Sequence, residues 1–248
     1  MKFKDYEKLS ITNDIVILTT LDKAEEDKRK VPEKALQILH IKRKDEPYKN
    51  NWALPGGFVN YDKDLEQSAR EKLYAKTGIN NLYMEQLYTY GDINRDSRGR
   101  VLSVAYMALV KKDAISPQIS ANKLSNQASW FYIEPKRNST KITDVRFISD
   151  EGNTNISELA FDHRQMVIDS LNRLQNKIEY TNIAFNLVPE FFTVKELQMV
   201  YECILGRTIQ AFRRKISDKI MSADKMKEDG AAYRPAQLYK FNNKNSKF

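Results

Sequence analysis

Cysteine and histidine are nearly absent from this chain. One cysteine, Cys203, and two histidines, His40 and His163, stand among 248 residues, which excludes an intrachain disulfide and a zinc site built from several Cys and His ligands. A chain without disulfides suits a reducing compartment, so a cytoplasmic setting is expected. No apolar run has the length of a membrane span, and the start, MKFKDYEKLS, has no signal-peptide core, so no membrane partner is expected. Glycine (8) and proline (7) are scarce, which leaves little linker or low-complexity sequence. Charge is abundant: 30% of residues are charged and 41% hydrophobic, a globular composition able to bury a core.

The net charge of +8 is unevenly spread. Residues 193–248 hold 12 Lys and Arg against 6 Asp and Glu, whereas residues 1–192 hold 29 against 27. The basicity belongs to the last quarter, which points to a polyanion-binding module attached to a nearly neutral body. Charge alone fits a solvated helix face equally well.

Residues 14–20 (DIVILTT) and 35–41 (ALQILHI) are short, apolar and rich in β-branched residues, and predict two strands. A turn-rich segment, residues 52–59 (WALPGGFV), precedes a helix over residues 65–77, with Leu65, Ala69 and Leu73 on one face and Gly78 as its stop. Further strands are predicted over 82–90, 101–110 and 128–133, with a polar, loop-like stretch over 135–158. From Phe161 the pattern turns helical: Asp162 can cap a helix carrying Met166, Val167, Leu171, Leu174 and Ile178. Thr193-Val194-Lys195-Glu196 is a capping box opening a helix that ends near Gly206. A second helix is expected roughly over 208–220, burying Ile209, Phe212, Ile216 and Ile220, and then a hairpin over 226–241. Helix, tight turn, helix and basic hairpin outline a winged helix-turn-helix.

Gly57, Leu73, Gly78 and Ile79 fall at the spacing of the Nudix box, G-x5-E-x7-R-E-U-x-E-E-x-G-U with U bulky and apolar, and the stretch resembles it. In such a box the glutamates of one helix face hold divalent ions against a pyrophosphate. Here Lys63, Lys72, Ala75 and Lys76 stand at the four acidic positions and Glu71 at the arginine position. Three ammonium groups repel the ion that the box would hold. A register shifted to Arg70-Glu71 puts Tyr74 and Ala75 at the paired-glutamate positions and does not restore the site. Glu66 and Glu71 remain as possible ligands for one weak cation, but two carboxylates without their partners make a poor site. The frame is Nudix-like without its catalytic residues, so neither a catalytic nor a metal-binding residue is assigned.

The lead-in Leu54-Pro55-Gly56-Gly57-Phe58-Val59, the segment Tyr90–Tyr106, the pieces Leu159–His163 and Lys177–Thr181, and Gly206–Lys215 (GRTIQAFRRK) together resemble the Nudix-related transcriptional regulators, the NrtR family, over roughly residues 10–241. The resemblance implies an α+β chain: a Nudix-type α/β/α sandwich with a mixed sheet over 1–158, a linker helix over 159–181, and a winged helix over 182–248. It implies a homodimer that binds an operator in double-stranded DNA and responds to a small effector such as ADP-ribose or a sugar derivative. By position in the resemblance, Arg43, Gly56, Gly57, Phe58, Arg95 and Asp96 line the effector pocket. Arg207, Thr208, Gln210, Arg213, Arg214, Lys215 and Arg234 contact DNA. Members often carry Asn where Ala211 stands here. If Lys63, Lys72 and Lys76 face the pocket, a phosphorylated effector is favoured. No cofactor is expected; magnesium enters only under the alternative reading, a hydrolase of ADP-ribose or another nucleoside diphosphate derivative. Cys203 reads as a core residue, His163 as fixing the start of the linker helix, and Tyr83, Tyr88 and Tyr90 as sheet packing.

Overall fold

A computed structural model describes residues 7–23, 33–78, 82–115, 128–149, 155–156, 158–227 and 235–243. A mixed sheet dominates the first part. Its strands are β1 (Ser10–Asp22), β2 (Lys34–Lys42), β3 (Trp52–Ala53), β4 (Gly56–Phe58), β5 (Tyr83–Tyr90), β6 (Val101–Leu109), β7 (Ala128–Asn138), β8 (Lys141–Ser149) and β9 (Asn155–Ile156). The order is β5-β6-β1-β2-β7-β8-β9, with β3 on β2 and β4 on β1. β1 and β6 run parallel, with Ile15 opposite Tyr106, and the other pairings are antiparallel.

Alternation along β1 splits the core into two layers, because successive side chains point to opposite faces. Ile15 and Ile17 pack with Ala69 and Leu73 of helix α1 (Leu65–Thr77). Val16 and Leu18 face the other way, toward Met166, Leu171 and Leu174 of helix α2 (His163–Lys177). The sheet is therefore covered by a helix on each face. The side chain of Asp64 caps α1, and Gly78 ends it at φ +67°, a conformation open to glycine without the cost of a Cβ.

Two expectations about this part need correction. Residues 135–158 are not loop-like throughout: β7 runs on to Asn138, and Lys141–Ser149 forms β8, burying Ile142, Val145 and Phe147. Polar residues between those three face solvent, so the segment's average polarity concealed its alternation. Asp162 makes no side-chain cap on α2 because its carboxylate is taken by Arg95.

Helix α2 is bolted to strands toward both ends of the sheet, β5 and β8. Asn172 exchanges two hydrogen bonds with the backbone of Ile142, at 3.0 and 2.9 Å. Tyr90 donates to Asp169 at 2.7 Å, and Lys177 pairs with Glu85. Among the described residues no helix is long and apolar enough to cross a membrane.

The C-terminal part contains α3 (Val194–Leu205), the short α4 (Phe212–Lys215) and a hairpin of β10 (Ile220–Lys227) and β11 (Ala236–Phe241). The capping box is formed: Glu196 N–H donates to Thr193 Oγ1 and Thr193 N–H to Glu196 Oε2. The expected second helix is cut to four residues. Ala211 takes the left-handed conformation, φ +51°, which breaks the helical path before Phe212, and Ile216 leaves it at φ −113°. Ile209, Phe212, Ile216 and Ile220 are nonetheless buried as expected, held by turns, and Ile220 already opens the hairpin. The wing strand therefore starts six residues before the expected Met226.

One continuous apolar core joins the two parts: Leu36, Ile38 and Ile133 of the sheet pack in the same cluster as Phe185, Leu187, Leu197, Val200, Tyr201 and Phe212. Arg137 of β7 donates to the carbonyl of Ile204 at 3.1 Å, supplying a partner to the last turn of α3. Cys203, half-buried beside it, is pushed up to about 11 by burial and behaves as a core residue.

Candidate functional site

Strand β1 carries one buried charge, Asp14, and the site forms around it. Ser103 of β6 donates to Asp14 Oδ2, and Arg95 Nη2 lies 3.8 Å from the same oxygen. His163, the first residue of α2, accepts the Leu54 N–H at Nδ1, 3.0 Å, and turns Nε2 toward Asp14 Oδ1 at 3.5 Å. Burial lowers the His163 pKa against the pull of Asp14 and Asp162, so the ring is neutral with its proton on Nε2.

Arg95 grips Asp162 with two hydrogen bonds, Nε to Oδ2 at 3.0 Å and Nη2 to Oδ1 at 2.7 Å. Burial opposes its charge, but Asp162, Asp14 and Asp96 outweigh that and raise its pKa above the ordinary arginine value. Asp96 holds Arg98 in a second bidentate pair, at 3.0 and 2.7 Å, and that hydrogen bonding lowers the carboxyl's pKa. Arg43 differs: its Nε and Nη2 donate to the carbonyls of Pro47 and Asp45, and it meets no carboxylate among the described residues. The Arg43 and Arg98 guanidinium groups lie 4.8 and 5.7 Å from the Phe161 ring, and Arg98 is 5.6 Å from Phe58. Phe161 holds φ +55°, a strained conformation for an aromatic residue, two residues before α2 begins.

Asp14, Arg43, Phe58, Arg95, Asp96, Arg98, Phe161 and His163 line one open cleft of about 210 Å³, with Asp162 and Ser103 behind them as partners of Arg95 and Asp14. All six residues expected in the effector pocket (Arg43, Gly56, Gly57, Phe58, Arg95 and Asp96) line it together. Gly56 is required there, because a Cβ would lie 2.3 Å from the Asn13 carbonyl oxygen. Sequence reading missed Asp14, Arg98 and Phe161 and gave His163 only a structural part. An aspartate inside an apolar strand was the one local signal for Asp14. Phe161 and His163 reach the cleft because α2 begins at its wall, and Arg98 because Asp96 holds it on the loop between β5 and β6.

The box helix does not supply the cleft's charge. Lys63 is 2.6 Å from Glu71, Arg70 donates to Glu66 at 2.9 Å, and Lys72 turns to Ser68 Oγ. Neither Lys63 nor Lys72 lines the cleft, and the Lys76 side chain lies outside the described residues. The cations that line the cleft are Arg43, Arg95 and Arg98, while Lys72 runs along Gly57 in its wall, where a Cβ would lie 3.4 Å from the Lys72 Cε. Nor do these residues fit a divalent ion: both box carboxylates are paired with a cation, and no metal-holding cluster exists among the described residues.

At the far end of the molecule, Arg207, Thr208, Gln210, Arg213, Arg214 and Lys215 are all exposed on the turn and on α4. Arg213 donates to Tyr239 Oη at 2.8 Å, tying α4 to the wing. Arg207 Nη2 and Lys215 Nζ reach one oxygen of Glu179, at 2.8 and 3.5 Å. Arg234 lies outside the described residues.

Fold and site together define a class: a Nudix-type sheet with a dismantled acidic box, joined through one helix to a winged helix. Residues 28–142 match the NUDIX domain, and residues 184–241 match the NrtR DNA-binding winged helix domain. The chain is 38% identical over 210 residues to the ADPR responsive transcriptional repressor NtrR of Acinetobacter baylyi, covering 83% of this chain and 76% of that one. It is similar to Shewanella oneidensis NrtR, solved in complex with a 27mer DNA, with TM-score 0.71, 31% identity, and coverage of 94% of this chain and 93% of that one. Over 55% of its length, and 67% of the relative, it is 29% identical to an ADP-ribose pyrophosphatase of Methanocaldococcus jannaschii. The chain belongs to the NrtR family.

Proposed function

We propose that this chain is a cytoplasmic, ADP-ribose-responsive transcriptional repressor, acting as a homodimer on double-stranded DNA. Residues 1–158 serve as the sensor, 159–181 as the connector and 182–248 as the DNA-binding module. The observation that carries the sensing role is the Arg95–Asp162 pair: the cleft's most buried cation grips the first turn of the connecting helix. An effector phosphate competing with Asp162 for Arg95 would loosen that grip. Effector and DNA affinities are then coupled through whichever arrangement each ligand prefers. Arg43, free of carboxylate partners among the described residues, and Arg98 suit the diphosphate, and the exposed ring of Phe58 offers a face for the base.

A dimer would set two winged helices on half-sites about 34–36 Å apart, or a multiple of that. Gln210, Arg213 and Arg214 would read base edges, and Arg207, Thr208, Lys215 and Arg234 would touch phosphate. Calorimetric titration with ADP-ribose in excess chelator tests the sensor: heat without metal supports it. Turnover of ADP-ribose with Mg²⁺ at about 1 s⁻¹ or faster would instead make the chain a hydrolase. Selection of bound duplexes from a random pool tests the other half, and an inverted repeat is the expected product.

A further inference from the structure

Glu179 stands two residues beyond the end of α2, and one of its carboxylate oxygens receives both Arg207 Nη2 at 2.8 Å and Lys215 Nζ at 3.5 Å. Two residues on, the carbonyl of Thr181 accepts a hydrogen bond from Lys219 Nζ at 3.4 Å. The exit of the connector thus lies against three cations of the winged helix. Its one carboxylate there takes the two that flank α4: Arg207 before the helix and Lys215 at its end. All three side chains of the pairing are partly open to solvent, so the clamp is weak enough to be exchanged. An oxygen anion shared between a guanidinium and an ammonium is the arrangement that a DNA phosphate would make with the same two groups.

We propose that Glu179 is an internal competitor for DNA phosphate, occupying Arg207 and Lys215 until the duplex displaces it and so lowering affinity for DNA of any sequence. This rests on the reading that Arg207 and Lys215 contact DNA. The competitor belongs to the connector and not to the winged helix, so its hold depends on how α2 sits. Phosphate contacts carry no sequence information, so the effect is readable without knowing the operator.

The test uses the full chain and a random-sequence duplex of about 30 base pairs, three helical turns, read by fluorescence anisotropy at low salt. Glu179→Gln should raise affinity about three- to five-fold, the worth of exposed ion pairs released. Glu190→Gln, an exposed carboxylate of the winged-helix part that is not the partner of Arg207 or Lys215 in the clamp, controls for net charge and should change affinity far less. In Arg207→Ala/Lys215→Ala, which itself should bind more weakly, adding Glu179→Gln should give no further gain beyond the Glu190→Gln control. Equal gains from Glu179→Gln and Glu190→Gln overturn the competitor while leaving the DNA contacts standing. If Arg207→Ala/Lys215→Ala binds as tightly as the parent chain, the underlying reading fails and the competitor with it.

Discussion

Ala211 is a residue in the wrong conformation for its side chain. At φ +51° it pays the left-handed penalty that glycine escapes and asparagine largely avoids, and as the N-cap of α4 it offers no oxygen to the free N–H groups. Ala211→Asn should therefore stabilise the chain by about 0.5–1.5 kcal/mol, seen as a higher urea midpoint at unchanged slope. His40 is the opposite case, a residue well packed and wrongly charged at low pH. It is fully buried between Phe131 and Phe147, and burial, with His163 adding to it, drives its pKa from 6.5 to about 3. His163 shifts in the same direction, burial leading. The unfolded chain takes up protons at both rings near pH 6.5 and the folded chain refuses them, so stability falls as pH drops below that value. For His40 alone the loss approaches about 1.4 kcal/mol per pH unit between pH 6.5 and 3. His40→Leu should flatten this slope in urea titrations between pH 5 and 7. Neither effect was legible in the sequence, where Ala211 sits in a helical pattern and His40 alternates like any strand residue.

At the scale of elements, the helices were easier to read than the strands. Leu65, Ala69 and Leu73 mark α1, and Thr193 with Glu196 marks the start of α3, because caps and helical periodicity are local. The box of Thr193 and Glu196 is also held from outside: Lys227 of the wing reaches Glu196 at 2.9 Å, and burial of Glu196 is outweighed by these donors, lowering its pKa. Thr193→Ala should cost about 1–2 kcal/mol in chemical unfolding. β8 and α4 escaped reading for different reasons. The alternation of β8 is diluted by solvent-facing polar residues, and α4 depends on a backbone turn that no propensity announces. The charges of α4 are exposed whatever its length. Arg213→Glu/Arg214→Glu should abolish duplex binding in gel shift while leaving the circular dichroism spectrum unchanged.

The whole molecule is organised by α2. Its first turn is held by Arg95 in the cleft, its body by Asn172, Asp169 and Lys177 to β8 and β5, and its exit by Arg207 and Lys215. Since Leu36 and Ile133 share a core with Val200 and Tyr201, the sensor and the winged helix should unfold together. Tyr201→Ala, removing a fully buried ring, should shift one cooperative transition by about 3–5 kcal/mol and not split it; near- and far-ultraviolet probes tracking different midpoints would show separate units. The sequence by itself determined which residue types were present: a box stripped of glutamates, a basic last quarter, and helices written in local caps. Only the tertiary structure decided that Asp14, Arg98, Phe161 and His163 join one cleft and that Lys63 and Lys72 bond to Glu71 and Ser68 of the box helix. Charge and periodicity are properties of neighbours along the chain, whereas a cleft is made by residues about 90 and 150 positions apart, which packing alone brings within hydrogen-bond reach.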